Sequence, residues 1–74
     1  MKTFTFEGKT FEYDRNTDYF TLLYGADEHR MQSEGHAVYE FEYLRKNGFA
    51  TVLTLVQGET RTTLATLAGR GGAA

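Results

Sequence analysis

Residues 47–67 read NGFATVLTLVQGETRTTLATL, and this stretch gives the clearest indication of antiparallel β structure. It contains two two-residue turns, Asn47-Gly48 and Gly58-Glu59, each flanked by segments rich in Val, Leu and Thr. Asn-Gly and Gly-first dipeptides favour the tight turns of β-hairpins, and β-branched residues favour strands. The stretch therefore predicts antiparallel strands over 49–57 and 60–67.

The segment before Asn47 predicts a third strand, over residues 38–46. Residues 38–44 read VYEFEYL, in which aromatic residues alternate with Glu. Strict alternation is typical of a strand with one apolar face. In this meander Tyr43 would lie opposite Val52, and Val52 opposite Ala65.

A helix over residues 34–46 is the competing interpretation. Ala37, Phe41 and Leu44 have the spacing of an apolar helical stripe. Glu42 and Lys46 form an i,i+4 pair, and Asn47-Gly48 would then be a helix C-cap. The aromatic alternation makes the strand the favoured prediction.

A second hairpin is predicted at the N-terminus, with Gly8-Lys9 as its turn. Strands over 2–7 and 10–14 would place Phe6 opposite Phe11 and Phe4 opposite Tyr13. All the aromatic side chains then share one face, which stabilises a pair of strands.

The segment 17–35 predicts one short helix or an irregular lid. Ala26 to Glu34 is rich in helix formers, and Gly35 suits a helix end. The predicted fold is a small antiparallel α+β domain over 1–68, with about five strands and one helix between the hairpin and the meander. The alternative is a small all-β barrel in which 18–24 is a strand. Residues 69–74, GRGGAA, predict a flexible tail.

The composition and net charge of the chain make some classes of function less favoured than others. The chain has 74 residues, no Cys, no Trp, six Phe, five Tyr and a net charge of −2. A small acidic excess disfavours a dedicated nucleic-acid binder. No apolar run approaches the roughly 18 residues that a transmembrane helix needs. A cytoplasmic protein is the expectation.

The sequence contains few residues that could support catalysis. Asp27, Glu28, His29 and His36 are the only group with metal ligands or acid–base residues close in sequence, and consecutive residues cannot all point to one spot. Ser33 is the only Ser, and a nucleophile needs an activating base and an orienting group. We therefore predict no enzymatic activity, no metal and no cofactor.

The preferred functional hypothesis is a protein-interaction module. Eleven aromatic residues exceed what one thin core requires, and aromatic residues are enriched at interfaces. Compact acidic domains without cofactors occur among phage and mobile-element inhibitors and adaptors, which block a partner's surface, for example that of a bacterial defence complex. The carboxylates expected to engage such a partner are Asp27, Glu28, Glu40 and Glu42.

Two alternatives belong to other classes. A single-stranded nucleic acid would stack on an aromatic platform and be held through its phosphates by basic side chains; the residues concerned are Tyr39, Phe41, Tyr43, Arg45, Lys46 and Arg61. A structural subunit would assemble through its edge strands. Either a monomer or a homodimer is compatible with the sequence.

Overall fold

Six antiparallel strands and one helix make up the fold in a computed structural model, which describes residues 1–69. The elements are β1 Lys2–Phe6, β2 Lys9–Tyr13, β3 Tyr19–Tyr24, β4 Asp27–Met31, α1 Glu34–Lys46, β5 Thr51–Gln57 and β6 Thr60–Leu67. β1 and β2 form a two-stranded sheet, and the other strands form an open four-stranded sheet in the order β4-β3-β5-β6. The predicted α+β class is confirmed, and the sheet does not close into a barrel. Residues 70–74 of the predicted tail lie outside the described residues.

The predicted strand over 38–46 is wrong, because these residues lie within helix α1. Ala37, Phe41 and Leu44 are its buried residues, so the 3.6-residue stripe outweighs the alternation of aromatic residues with Glu. The alternation misleads because two of the aromatic side chains are exposed on the helix. Within residues 1–69 no helix is long and apolar enough to cross a membrane.

Both ends of α1 are capped by short-range hydrogen bonds. At the start, the Ser33 hydroxyl accepts a bond from the His36 backbone N–H at 3.1 Å. At the end, the Asn47 side chain donates to the Tyr43 carbonyl at 2.7 Å, and Gly48 has the positive φ of 77° that ends many helices. Asn47-Gly48 is therefore a helix terminus and not the predicted hairpin turn.

The predicted helix within 17–35 is also wrong, because this region forms the β3–β4 hairpin. Gly25 adopts a φ of 66° in the turn, and Tyr24 pairs with Asp27. On β3, Phe20 and Leu22 are fully buried and share one face. β4 is an edge strand with a single buried residue, Met31, so its polar sequence resembles that of a surface helix.

The N-terminal hairpin is confirmed, but its turn is Glu7-Gly8 and not Gly8-Lys9. Both turn residues have positive φ, 50° and 83°, as a type I′ turn requires. Phe4 therefore lies opposite Phe11, a shift of two residues from the predicted register. A shift of two keeps every side chain on its predicted face.

The Gly58-Glu59 hairpin is confirmed, with a bulge that changes its outer register. Gln57 pairs with Thr60 as predicted, but the register shifts between Leu53 and Thr54. Ala65 consequently lies opposite Leu53 and not opposite Val52.

The core lies on the sheet face that carries Phe20, Leu22, Leu53 and Leu55. Helix α1 and the N-terminal hairpin cover this face together. Aromatic edge-to-face contacts join the layers: Phe4 and Tyr13 meet the Phe20 ring at 5.4 and 4.9 Å, and Phe6 meets Phe41 at 5.4 Å. These contacts hold one side of the helix against the core, so the other side of the helix faces solvent.

Candidate interaction surface

Three large aromatic side chains lie exposed at one end of the molecule. Tyr39 is 71% exposed, Tyr43 53% and Phe49 54%. We call Tyr39, Tyr43 and Phe49 the aromatic surface. Apart from Met1, they are the large hydrophobic residues that residues 1–69 leave in solvent. Exposed aromatic residues that cluster call for a functional explanation, whereas scattered ones do not.

The helix places two members of the aromatic surface. Because α1 buries Phe41 and Leu44, residues on its other side face solvent. Tyr39 and Tyr43 are four residues apart and therefore stand one above the other on that side. Phe49 follows directly after the left-handed Gly48, where the chain turns back beside the end of the helix.

Two depressions meet at Tyr43 and make the aromatic surface continuous. The first, which we call the helix groove, has a volume of about 390 Å³ and runs along the outer side of α1. The second, the end pocket, has a volume of about 280 Å³ and lies between the end of α1 and the β3–β4 turn. The helix groove is lined by Val38, Tyr39, Glu42, Tyr43 and Lys46, and the end pocket by Leu23, Tyr24, Gly25, Tyr43, Leu44, Phe49 and Ala50.

Charged side chains border the helix groove. Glu42 and Lys46 line it and supply one negative and one positive group, one helical turn apart. Arg45 lies beside the groove and is held within the fold, 2.5 Å from Glu7 and 3.3 Å from Glu42, with its guanidinium over the Phe41 ring. The hydrogen bond that Arg45 donates to the Glu7 carboxylate raises the pKa of Arg45 above its ordinary value. Arg45 therefore ties the helix to the N-terminal hairpin.

Glu40 lies on another side of α1, next to Tyr24 of the end pocket. Its carboxylate lies 3.9 Å from the His36 Nε2 and close to the Tyr24 phenol. Burial raises the pKa of Tyr24 above its ordinary value, and the Glu40 carboxylate adds to the rise. Tyr24 therefore stays neutral at physiological pH, and its ring lies against that of His29, with centroids 4.0 Å apart and the ring planes tilted by 36°.

The uncovered face of the four-stranded sheet is occupied by its own polar contacts. Glu28 lies 2.5 Å from Arg61 and accepts a hydrogen bond from the Thr21 hydroxyl at 3.2 Å. Arg30 lies over the Tyr19 ring at 3.9 Å from its centroid. Glu28 and Arg61 are thus neutralised within the fold, and Asp27 is exposed at the start of β4.

The predicted partner-binding carboxylates and basic residues are not brought together. Asp27 and Glu28 lie on an edge strand, whereas Glu40 and Glu42 are on different sides of α1. The proposed stacking residues are also separated, because Phe41 is 0% exposed in the core while Tyr39 and Tyr43 face solvent. Of the six residues assigned to nucleic-acid binding, Tyr39, Tyr43 and Lys46 share the helix groove.

Phe49 is the member of the aromatic surface that the sequence does not predict, because the predicted strand over 49–57 includes it. The available signal was its position directly after Asn47-Gly48. If that dipeptide ends a helix, the next residue lies at the helix terminus, where a hydrophobic side chain commonly packs. Recognising the C-cap would therefore have placed Phe49 beside Tyr43.

The residues considered for catalysis or metal binding do not form a site. The Ser33 hydroxyl caps the helix, and within residues 1–69 no group of three or more His, Asp or Glu side chains converges on one point.

Comparison with known proteins adds no relative, since no protein-family model, curated protein or solved structure matches this chain. A function is therefore inferred from the aromatic surface and the two depressions that it borders.

Proposed function

We propose that this chain is a non-enzymatic protein-interaction module that acts by covering part of another protein. The observation that carries the proposal is the aromatic surface. Three aromatic side chains more than half exposed, at the meeting point of two depressions, cost solvation free energy that binding to a partner would recover.

The chemistry of this region matches that of protein interfaces. Tyr and Phe are enriched at interface centres, where they fill pockets of the partner, and polar or charged groups form the rim. Here Tyr43 lies between the helix groove and the end pocket, with Glu42 and Lys46 beside it. Tyr39, Tyr43 and Phe49 are accordingly the expected binding anchors, and Glu42 and Lys46 are expected to contribute specificity.

The proposed mode of action is that of a small inhibitor or adaptor. A domain of 74 residues with a rigid helix can occupy a groove on a larger protein without chemistry of its own. A phage or mobile-element accessory protein that blocks a bacterial defence complex is one protein of this kind. In that mode, loss of binding and loss of inhibition should occur together.

A second candidate is binding of single-stranded nucleic acid, favoured by Tyr39 and Tyr43 beside Lys46. Bases stack on exposed aromatic rings, and a nearby ammonium contacts phosphate. Glu42 lines the same groove and opposes a phosphate backbone. A titration with labelled oligonucleotides at low salt distinguishes the candidates, because phosphate binding weakens steeply as salt rises.

The test of the proposed function is affinity capture with matched variants. Tagged wild-type protein and a Tyr39→Ser, Tyr43→Ser, Phe49→Ser triple variant are incubated with nuclease-treated lysate, and retained proteins are quantified by mass spectrometry. We expect one stoichiometric partner with the wild type and its loss with the triple variant.

The control is a triple variant on exposed residues remote from the aromatic surface, Thr3→Ser, Thr10→Ser and Thr63→Ser. It should retain the partner fully. Equal retention by the aromatic variant and the wild type would refute the proposal, as would retention that depends on nucleic acid.

A further inference from the structure

The helix groove has a charge pattern that complements itself. Glu42 and Lys46 lie one turn apart on the solvent side of α1, about 6 Å along the helix axis. Glu42 lies 3.3 Å from the Arg45 Nε, but its side chain is 53% exposed and can meet a second cation. When two such helices run antiparallel, a two-fold axis exchanges the two positions. The carboxylate of each helix then meets the ammonium of the other, and both ion pairs form at once.

We propose that a second copy of this chain binds the aromatic surface, with the two α1 helices packed antiparallel about a two-fold axis. The inference rests on the proposed function, because it names a partner for that same surface. The dimer covers the aromatic surface at high protein concentration, and dilution frees it for another partner.

The register follows from the two charges. Setting Glu42 opposite Lys46 of the second copy places the axis beside position 44 of α1, on the solvent side of the helix. The two Tyr43 side chains then lie next to each other across the axis. Each Tyr39 lies beyond the last residue of the other helix, on the side from which that chain continues to Phe49. The arrangement thus covers the two Tyr43 side chains and pairs both groove charges.

The two groove charges select the antiparallel arrangement, in which each Glu42 meets a Lys46 of the other copy. A parallel pair would instead place Lys46 beside Lys46 and Glu42 beside Glu42, which is repulsive.

The area available predicts a weak dimer. The exposed parts of Tyr39, Tyr43 and Phe49 amount to on the order of 400 Å² for each copy, about half of the roughly 800 Å² that a standard interface takes from each partner. The side chains of Val38, Glu42 and Lys46 extend the contact. We expect a dissociation constant on the order of 10–100 μM.

The test is sedimentation equilibrium of the full chain at concentrations from about 1 μM to about 1 mM, the range that brackets this constant. The wild type should rise from the monomer mass toward twice that mass. Glu42→Lys and Lys46→Glu should each weaken association at least about tenfold, because each puts like charges opposite each other twice. The double variant Glu42→Lys, Lys46→Glu restores opposite charges and should associate like the wild type.

The control is charge reversal at residues remote from the groove. Lys9 and Glu59 make no ion pair within residues 1–69, and Lys9→Glu and Glu59→Lys should leave association unchanged. Circular dichroism verifies that each variant keeps its helix. A wild type that stays monomeric at the highest concentration overturns the inference, and so does a double variant that fails to recover.

The two proposals fail in different ways. Suppose that the wild type stays monomeric and that the triple aromatic variant loses the partner that the wild type captures. Only the proposed dimer is then refuted. Suppose instead that the chain dimerises but captures no other protein from lysate at about 1 μM, below the expected dissociation constant. The proposed function is then refuted, and the dimer is not.

Discussion

Phe41 and Tyr39 are two residues apart on α1 and have opposite environments. Phe41 is fully buried against Phe6, while Tyr39 is mostly in solvent. A helix separates residues i and i+2 by about 200°, so a pair that would share one face of a strand is divided between the core and the surface. The division predicts opposite effects on stability and on binding.

Phe41→Ala should reduce the free energy of unfolding by about 3–5 kcal/mol, because it leaves a cavity in the core. Since a domain of this size has a total of roughly 4–11 kcal/mol, much of the variant should be unfolded. Tyr39→Ala should change stability by less than about 0.5 kcal/mol. Urea denaturation followed by circular dichroism measures both. Similar losses in the two variants would contradict the assignment of Phe41 to the core.

Asp18 joins three segments through its carboxylate. Its Oδ2 accepts hydrogen bonds from the Asp14 backbone N–H at 2.8 Å and from the Gln57 side chain at 3.1 Å, and its Oδ1 accepts one from Thr17. The bond from the Asp14 backbone, followed by the one from Gln57, lowers the pKa of Asp18 below its ordinary value of 3.8. The charged form is therefore favoured in the folded state.

This lowered pKa predicts a dependence of stability on pH. The carboxylate stabilises the fold above the unfolded pKa near 3.8, and the contribution is lost as pH falls through the lower folded pKa. Asp18→Asn should thus be less stable than the wild type at pH 7, and the difference should narrow by pH 2–3. Urea midpoints at both pH values measure it, with exposed Asp27→Asn as the control. A difference that is the same at both pH values would contradict the prediction.

At the scale of elements, the assignment of 34–46 to a helix depends on its N-cap. Ser33→Ala should cost about 1 kcal/mol of stability, since the His36 backbone N–H loses its acceptor. Ser33→Asp should retain most of the stability. Urea denaturation of the three proteins measures these differences.

Gly35 supplies a control in the opposite direction. It lies in the first turn of α1, and an added Cβ would meet no heavy atom within 4 Å, so Gly35→Ala should stabilise the protein by up to about 1 kcal/mol. No change in either the Ser33→Ala or the Gly35→Ala variant would contradict a capped helix at this position.

The hairpins that could be predicted from sequence have local turn signals, but the similar signal at Asn47-Gly48 marks the end of a helix. The Gly58-Glu59 and N-terminal hairpins combine a Gly-containing turn with β-branched or aromatic flanks, and both form. Residues 34–46 carried two periodicities at once, and the choice depended on which aromatic side chains a distant layer buries. The packing of Phe6 on Phe41 favours the helix. These two residues are 35 positions apart in sequence, so no local pattern contains their contact.

The β3–β4 hairpin was missed for a related reason. As an edge strand, β4 has only Met31 buried, so its polar sequence lacks the alternation that marks a strand. Its identity depends on pairing with β3, which is sandwiched between β4 and β5.

In the molecule as a whole, the aromatic surface consists of aromatic residues that the core does not bury. The expectation that eleven aromatic residues exceed the needs of one core pointed toward an exposed group. Which residues form it could not be predicted, because Tyr39, Tyr43 and Phe49 come together only when α1 ends beside the β3–β4 turn. The exposed carboxylates gave no such guide, since Glu28 and Glu42 already have partners within the fold.

Amide hydrogen exchange of this chain, free and bound to the captured partner, tests the claim that the aromatic surface is the binding site. If the aromatic surface binds that partner, protection on binding should concentrate in residues 38–50, the end of α1 and the segment that follows it. The hairpin of β1 and β2 and the outer edge of β6 should exchange as in the free protein. Protection confined to β6 or to the uncovered face of the sheet, with residues 38–50 unchanged, would contradict the claim.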